Sequence, residues 1–245
     1  MQINSKQTAH ITGFPAGTMI HTDQGLMPIQ EIKVGDMVLS RPKQGGENAP
    51  TEYKRVVRAF CAGEAEVVRL LSKRQSEWDD WDDGRNFVQF ITHNHPVWVE
   101  QRKNWISVKD LQVGELLSGV DKTDSQKLLS IDLVFKGSLD KAQHFGICLE
   151  PSLGLDDSRD VSMYIDFDSK GYSVNYNRFD TGYKGYFFDR SVHFRLDSEF
   201  EKIVFDDFYD HPNNFLMVAV YNIEVEEFQT YFVGQQSIWV QAAKS

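Results

Sequence analysis

Two residues stand where acid–base chemistry is possible: Thr92 and His95, in the run Thr92-His93-Asn94-His95-Pro96. A hydroxyl and an imidazole three residues apart are a weak signal by spacing alone, because a catalytic base needs a reacting partner in reach. The same pair at a strand end can also simply satisfy backbone groups. His93 and His95 stand two apart on one possible strand face, a spacing that can bind a metal ion. No third ligand follows at a clear spacing, and His21 is far off in sequence, so no metal and no cofactor are expected. Asp79-Asp80-Trp81-Asp82-Asp83-Gly84 resembles a calcium loop. The twelfth position is Phe90 rather than glutamate, so a solvated acidic loop is the better reading. Cys61 and Cys148 are too few for a disulfide framework or a zinc site. Cys61 reads as a buried strand residue.

The elements that must position Thr92 and His95 are strands. Residues 87–91 form an apolar strand that ends at Thr92, and 97–99 resume it. A repeat frames them. Residues 26–38 read LMPIQEIKVGDMV, and 105–117 read WISVKDLQVGELL, in register at an offset of 79 with no gap. Ile29 matches Val108, Ile32 matches Leu111, and Val34-Gly35-Asp36 matches Val113-Gly114-Glu115. Each copy predicts a short turn, a glycine at positive φ and a following strand. Two copies cannot make a solenoid, so a duplicated unit closing on itself with pseudo-two-fold symmetry is expected.

The rest of the chain is also β-like. Residues 55–71 predict two strands around Ala62-Gly63, 127–135 another, and 215–240 a long strand, a bend and two shorter strands. Residues 136–212 are rich in Tyr, Phe and Asp and read as a β-rich insertion, far longer than an ordinary loop. The best short helix candidate is 198–205. The formal net charge of −10 argues against a nucleic-acid partner. No stretch of about 18 apolar residues predicts a membrane span, and the first residues lack the apolar run of a signal peptide.

Four ordered blocks resemble the Hedgehog/intein (Hint) superfamily, and most closely the pretoxin Hint domains of bacterial polymorphic toxins. They are Phe14-x-Ala-Gly-Thr18 with Gly25-Leu-x-Pro-Ile29 and Val34-Gly-Asp36; Thr92-x-x-His95-Pro96 with Trp105 and the second Val-Gly-Glu; Val220-Tyr-Asn-Ile-Glu-Val-Glu-x-Phe-x-Thr-Tyr-Phe-Val233; and Ile238-Trp-Val240. The resemblance implies an all-β Hint fold over 13–135 and 213–242. Residues 136–212 would then be an insertion, with tails at 1–12 and 243–245. It also implies autocatalytic chemistry. A cysteine opening the domain attacks the preceding carbonyl, the Thr and His of Thr-x-x-His serve the scissile peptide, and a His-Asn pair cuts the far end.

This chain departs from that pattern where the bonds would break. The nucleophile position is Gly13. The penultimate block carries Gln229 where the family has a histidine, and Gln241-Ala242 replaces His-Asn. Thr92 and His95 remain. Thr12 has a hydroxyl but sits one residue before the expected register. The expectation is a Hint-fold scaffold or partner-binding module that neither cleaves nor splices, with flanking polypeptide segments or another protein as partner. If it belongs to a toxin, it would sit in the bacterial cytoplasm before export. An autoprocessing domain captured in mutated form, and an effector with a repurposed site at His93 and His95, are the alternatives.

Overall fold

The computed structural model describes residues 11–77, 86–121, 123, 125–136, 145–151, 159–175 and 215–243. The acidic loop 79–84, the helix candidate 198–205, most of the tail 1–12 and residues 244–245 lie outside them. The strands in chain order are β1 (Phe14–Pro15), β2 (Met19–Thr22), β3 (Gly25–Pro28), β4 (Met37–Ser40), β5 (Glu52–Arg74), β6 (Asn86–Thr92), β7 (Pro96–Val99) and β8 (Asn104–Ser107). There follow β9 (Leu116–Leu117), β10 (Gln126–Lys136), β11 (Phe145–Pro151), β12 (Arg159–Asp168), β13 (Gly171–Asn175), β14 (Met217–Val225), β15 (Thr230–Val233) and β16 (Ile238–Gln241). They form one hydrogen-bonded network of antiparallel pairs. Among the described residues helix is limited to 3-10 turns at Ile29–Glu31, Gln75–Glu77 and Val108–Asp110. The fold is all-β, as expected, and no helix among the described residues is long and apolar enough to cross a membrane.

The duplication is built into the backbone. Ile29 and Val108 each open a 3-10 turn that closes through Ile32 N–H to Ile29 C=O and Leu111 N–H to Val108 C=O. Asp36 accepts the Lys33 N–H at 2.8 Å, and Glu115 accepts the Gln112 N–H at 2.7 Å. Gly35 and Gly114 have φ of 102° and 92°, as the sequence predicts. The hairpins that lead in are equivalent too: β2 pairs Met19 with Pro28, and β7 pairs Pro96 with Ser107. The offset is 79 at the second strand but 77 at the first, so the turn 92–95 is the counterpart of the turn 15–18. Their bonds agree: His95 N–H to Thr92 C=O at 3.1 Å, and Thr18 N–H to Pro15 C=O at 3.3 Å.

Both copies pack into one core. Ile20, Ile29, Ile32 and Val38 from the first meet Val97, Val108, Leu111 and Leu117 from the second, around Phe14, Tyr231 and Val240. Fully burying each such aliphatic side chain contributes roughly 1.5–3 kcal/mol. A second cluster joins Val134, Cys148, Ile165 and Phe167 to Phe90, Leu216, Val218 and Val220. Thus β11 to β13, the described part of 136–212, share a core with β6 and β14.

Two strand expectations need correction. Residues 55–71 are not two strands but part of the single 23-residue β5. The reason is its partner: β14 pairs with β5 along Val56 to Glu66 across two register shifts, so Ala62-Gly63 lies at a shift within one strand and makes no hairpin turn. Cys61 is in a strand but exposed, opposite Tyr221 beside that shift. Cys148 is the buried cysteine.

Candidate functional site

The Thr12–Gly13 peptide is held from both ends. Gly13 N–H donates to Thr92 Oγ1 at 3.0 Å, and Thr92 N–H donates to Gly13 C=O at 3.2 Å. Thr92 is placed by β6, whose last residue it is, and it is buried. On the other side Asn222 Nδ2 donates to the Thr12 carbonyl oxygen at 2.9 Å and lies 3.2 Å from Thr12 Oγ1. The Asn222 amide cannot turn round. Its Oδ1 accepts from Ile223 N–H at 2.8 Å and from the Tyr231 hydroxyl at 2.9 Å, so Nδ2 must face Thr12. Tyr231 is fully buried, and burial pushes its phenol well above the usual value, so it stays a donor. A fixed donor on a carbonyl oxygen is the arrangement that stabilises a developing oxyanion.

His95 joins this peptide to the far end of the fold. It is wholly buried, its ring 4.5 Å from that of Phe14, and its Nε2 lies 3.0 Å from the Gln241 carbonyl oxygen. A carbonyl only accepts, so Nε2 carries the proton. The other nitrogen, Nδ1, has no hydrogen-bond partner among the described residues. Burial lowers the His95 pKa to about 3, against a smaller opposing effect of the Gln241 bond. The imidazole is therefore neutral at ordinary pH, with its one N–H committed to Gln241. Ala242 N–H donates to Gln229 C=O and Ala243 N–H to Ile223 C=O, each at 2.9 Å. Residues 12–13 and 241–243 thus converge on Asn222, Ile223 and His95.

Gly13 has no side chain, and the space where one would stand is taken. A Cβ on Gly13 would stand 2.6 Å from the Tyr221 carbonyl oxygen and 3.2 Å from its carbon. The Gly13 backbone has closed onto β14, where β1 pairs Phe14 with Tyr221. Gln229 is exposed at φ 55°, and its carbonyl accepts from the Ala242 N–H. Gln241 likewise serves through its carbonyl, and Ala242 is buried without a functional group.

The histidines do not assemble. His93 and His95 lie in a turn rather than on a strand face. His93 points to Glu66, 3.9 Å away, while His21 Nε2 lies 2.8 Å from the Gly234 carbonyl. Among the described residues no group of histidines, cysteines and acids could hold a metal ion. Asn222 and Tyr231 were not singled out by sequence reasoning. A signal for Asn222 existed: it interrupts the buried apolar residues Val218, Val220, Ile223 and Val225 of β14, where an amide is out of place without a partner.

No protein-family model matches this chain, and no curated protein does. Solved structures do. An intein-like domain from Clostridium thermocellum is 18% identical, covering 94% of this chain and 99% of that one with a TM-score of 0.46. A DnaB intein from Synechocystis is 11% identical, covering 96% and 100% with a TM-score of 0.48. At such identities the likeness concerns chain path and leaves the chemistry to the side chains in place.

Proposed function

We propose that this chain is a Hint-type module that grips a peptide junction without breaking it. It serves as a scaffold or protein-binding junction inside a larger polypeptide of the pretoxin kind, with flanking segments or a protein partner as what it holds, and it stays in the bacterial cytoplasm until export. One observation carries the reading. The Thr12–Gly13 peptide is clamped at its carbonyl by Asn222 and at its N–H by Thr92, while residue 13 has no side chain to attack with. An acyl shift needs a nucleophile on the residue after the carbonyl and an acid for the departing nitrogen. Gly13 supplies none, and neutral His95 withholds the second.

The completeness of the clamp also favours a second reading, an autoprocessing domain disabled at its reacting atoms. The crowding at Gly13 weighs against it, because a cysteine there must push β1 off Tyr221. Intact mass separates the two. With a reporter domain before residue 1 and another after residue 245, the chain is expected at full length with and without thiol. The triple variant Gly13→Cys, Gln241→His, Ala242→Asn is also expected uncut. Fragments ending at Thr12 from the unmodified chain would overturn the scaffold reading; fragments only from the folded variant would establish the second.

A further inference from the structure

The geometry points to a strand-docking site: the cleft beside β14 binds an extended segment of another polypeptide, which pairs with β14 and sets a basic side chain against Glu64 and Asp168. The cleft holds about 540 Å³ and is lined by β14, the β1 loop and the β12–β13 turn. That volume lies within the roughly 300–1,000 Å³ of ligand sites.

Its special feature is a backbone edge. On one side β14 pairs Met217, Val218 and Ala219 with Glu66, Ala65 and Glu64 of β5. On the other, β1 reaches only Tyr221 and Val220. Among the described residues no strand continues along Met217, Val218 and Ala219. β1 cannot extend to cover them. Pro15 has no N–H to offer, and the chain turns away at Gly17, whose φ is 86° and whose N–H is taken by Gln30 Oε1 at 2.8 Å. An added strand would continue the line of β1, gaining affinity from main-chain bonds and specificity from alternate side chains.

The lining settles what such a strand should carry. The half-buried Phe215 and Met217 and the exposed Ala219 give apolar contact above the core residues Phe167, Leu216 and Val218, and the charged side chains are Glu64, Asp168 and Lys136. Two carboxylates against one ammonium, on a chain of net charge −10, favour a cationic residue flanked by apolar ones. The site is separate from the junction clamp and does not depend on whether that junction is cut.

The probe is a fluorescein-labelled hexapeptide, Thr-Val-Lys-Val-Thr-Val, titrated against the full chain by fluorescence anisotropy. Saturable binding is expected, with slowed amide hydrogen exchange within Met217–Ala219 at the N–H groups that point away from β5. Glu64→Lys should weaken it roughly fivefold, the worth of one exposed ion pair, and a peptide with glutamate in place of lysine should recover it. Methylating the valine amides should abolish binding. The proposal is overturned by no binding at about 1 mM peptide, the weak end of specific recognition, by equal binding of the N-methylated peptide, or by protection elsewhere. Protection of the same amides on self-association without peptide would make a second copy the occupant and overturn it too.

Discussion

The turns 15–18 and 92–95 occupy equivalent places in the two copies of the duplicated unit, and they have been put to different uses. Each is closed by the same bond, and each hands its last carbonyl to the start of the following 3-10 turn: Thr18 to Ile29, His95 to Val108. The first turn is covered by the loop between β12 and β13. Gly17 and Gly171 approach so closely that a Cβ on Gly17 would lie 2.7 Å from Gly171 Cα. Gln30 bridges them, accepting from Gly17 N–H and donating to Lys170 C=O at 2.9 Å. The second turn is covered by the two junction segments, through Thr92 to Gly13 and His95 to Gln241. The frame of the fold is thus indifferent to chemistry. What sits on each turn decides whether the turn becomes a packing surface or a site.

The strongest way to sharpen that contrast is pH, because only the second turn buries a histidine. The folded pKa of His95 is about 3 against an ordinary 6.5. Its contribution to stability is complete above about pH 6.5 and is lost as pH falls toward 3, because the unfolded chain takes up the proton first. The expected slope is about 1.4 kcal/mol per pH unit in that window, or about 3 kcal/mol by pH 4. His21 and His93 are also shifted down by burial and add in the same direction. The slope therefore has to be read as a difference from His95→Gln in urea denaturation. Parallel curves for the two proteins would mean that His95 is not the buried neutral base described here.

An effect of similar size breaks the first turn instead. Gly17→Ala meets both a positive φ and the backbone of Gly171, and should cost about 2–4 kcal/mol. It should also speed hydrogen exchange in β12 and β13 and leave the Thr92 to Gly13 bonds intact. If exchange quickens equally at Gly13 and Thr92, the two turns are one cooperative unit and the contrast fails.

How much of this was legible in the sequence follows the same division. The frame was readable, because Val-Gly-Asp and Val-Gly-Glu need a positive φ followed by a strand, and such local requirements leave residue types in register. The position of Thr92 at the end of a strand was readable as well, since the apolar run 87–91 stops there. Asn222 and Tyr231 were not, because their roles exist only across 210 residues of chain, from Asn222 to Thr12, and in the two donors that fix one amide. The steric closure at Gly13 was also invisible, since the clash is with the backbone carbonyl of Tyr221 and no residue type encodes it. The single long β5 escaped because the alternation of 55–71 is interrupted at Ala62-Gly63, while the partner that pairs across the interruption lies about 160 residues on.

The smallest expected difference tests whether the frame is symmetric at all. Gly35 and Gly114 have φ of 102° and 92°, and at neither would a Cβ meet anything within 4 Å. Gly35→Ala and Gly114→Ala should therefore each cost only the conformational strain, about 1–2 kcal/mol, and should agree to within a few tenths in urea midpoints at equal slope. The neighbouring acids should not agree. Asp36 caps Lys33 N–H from a half-buried position, whereas Glu115 is buried, caps Gln112 N–H and is paired with Arg102 Nε as well. Asp36→Ala should cost about 1 kcal/mol, an ordinary capping loss. Glu115→Ala should cost more, because it also leaves a half-buried guanidinium without its acid. Equal glycines with unequal acids would show a frame held in common by backbone geometry and reinforced on one side by charge. Unequal glycines would show that the two copies have drifted apart in the backbone itself.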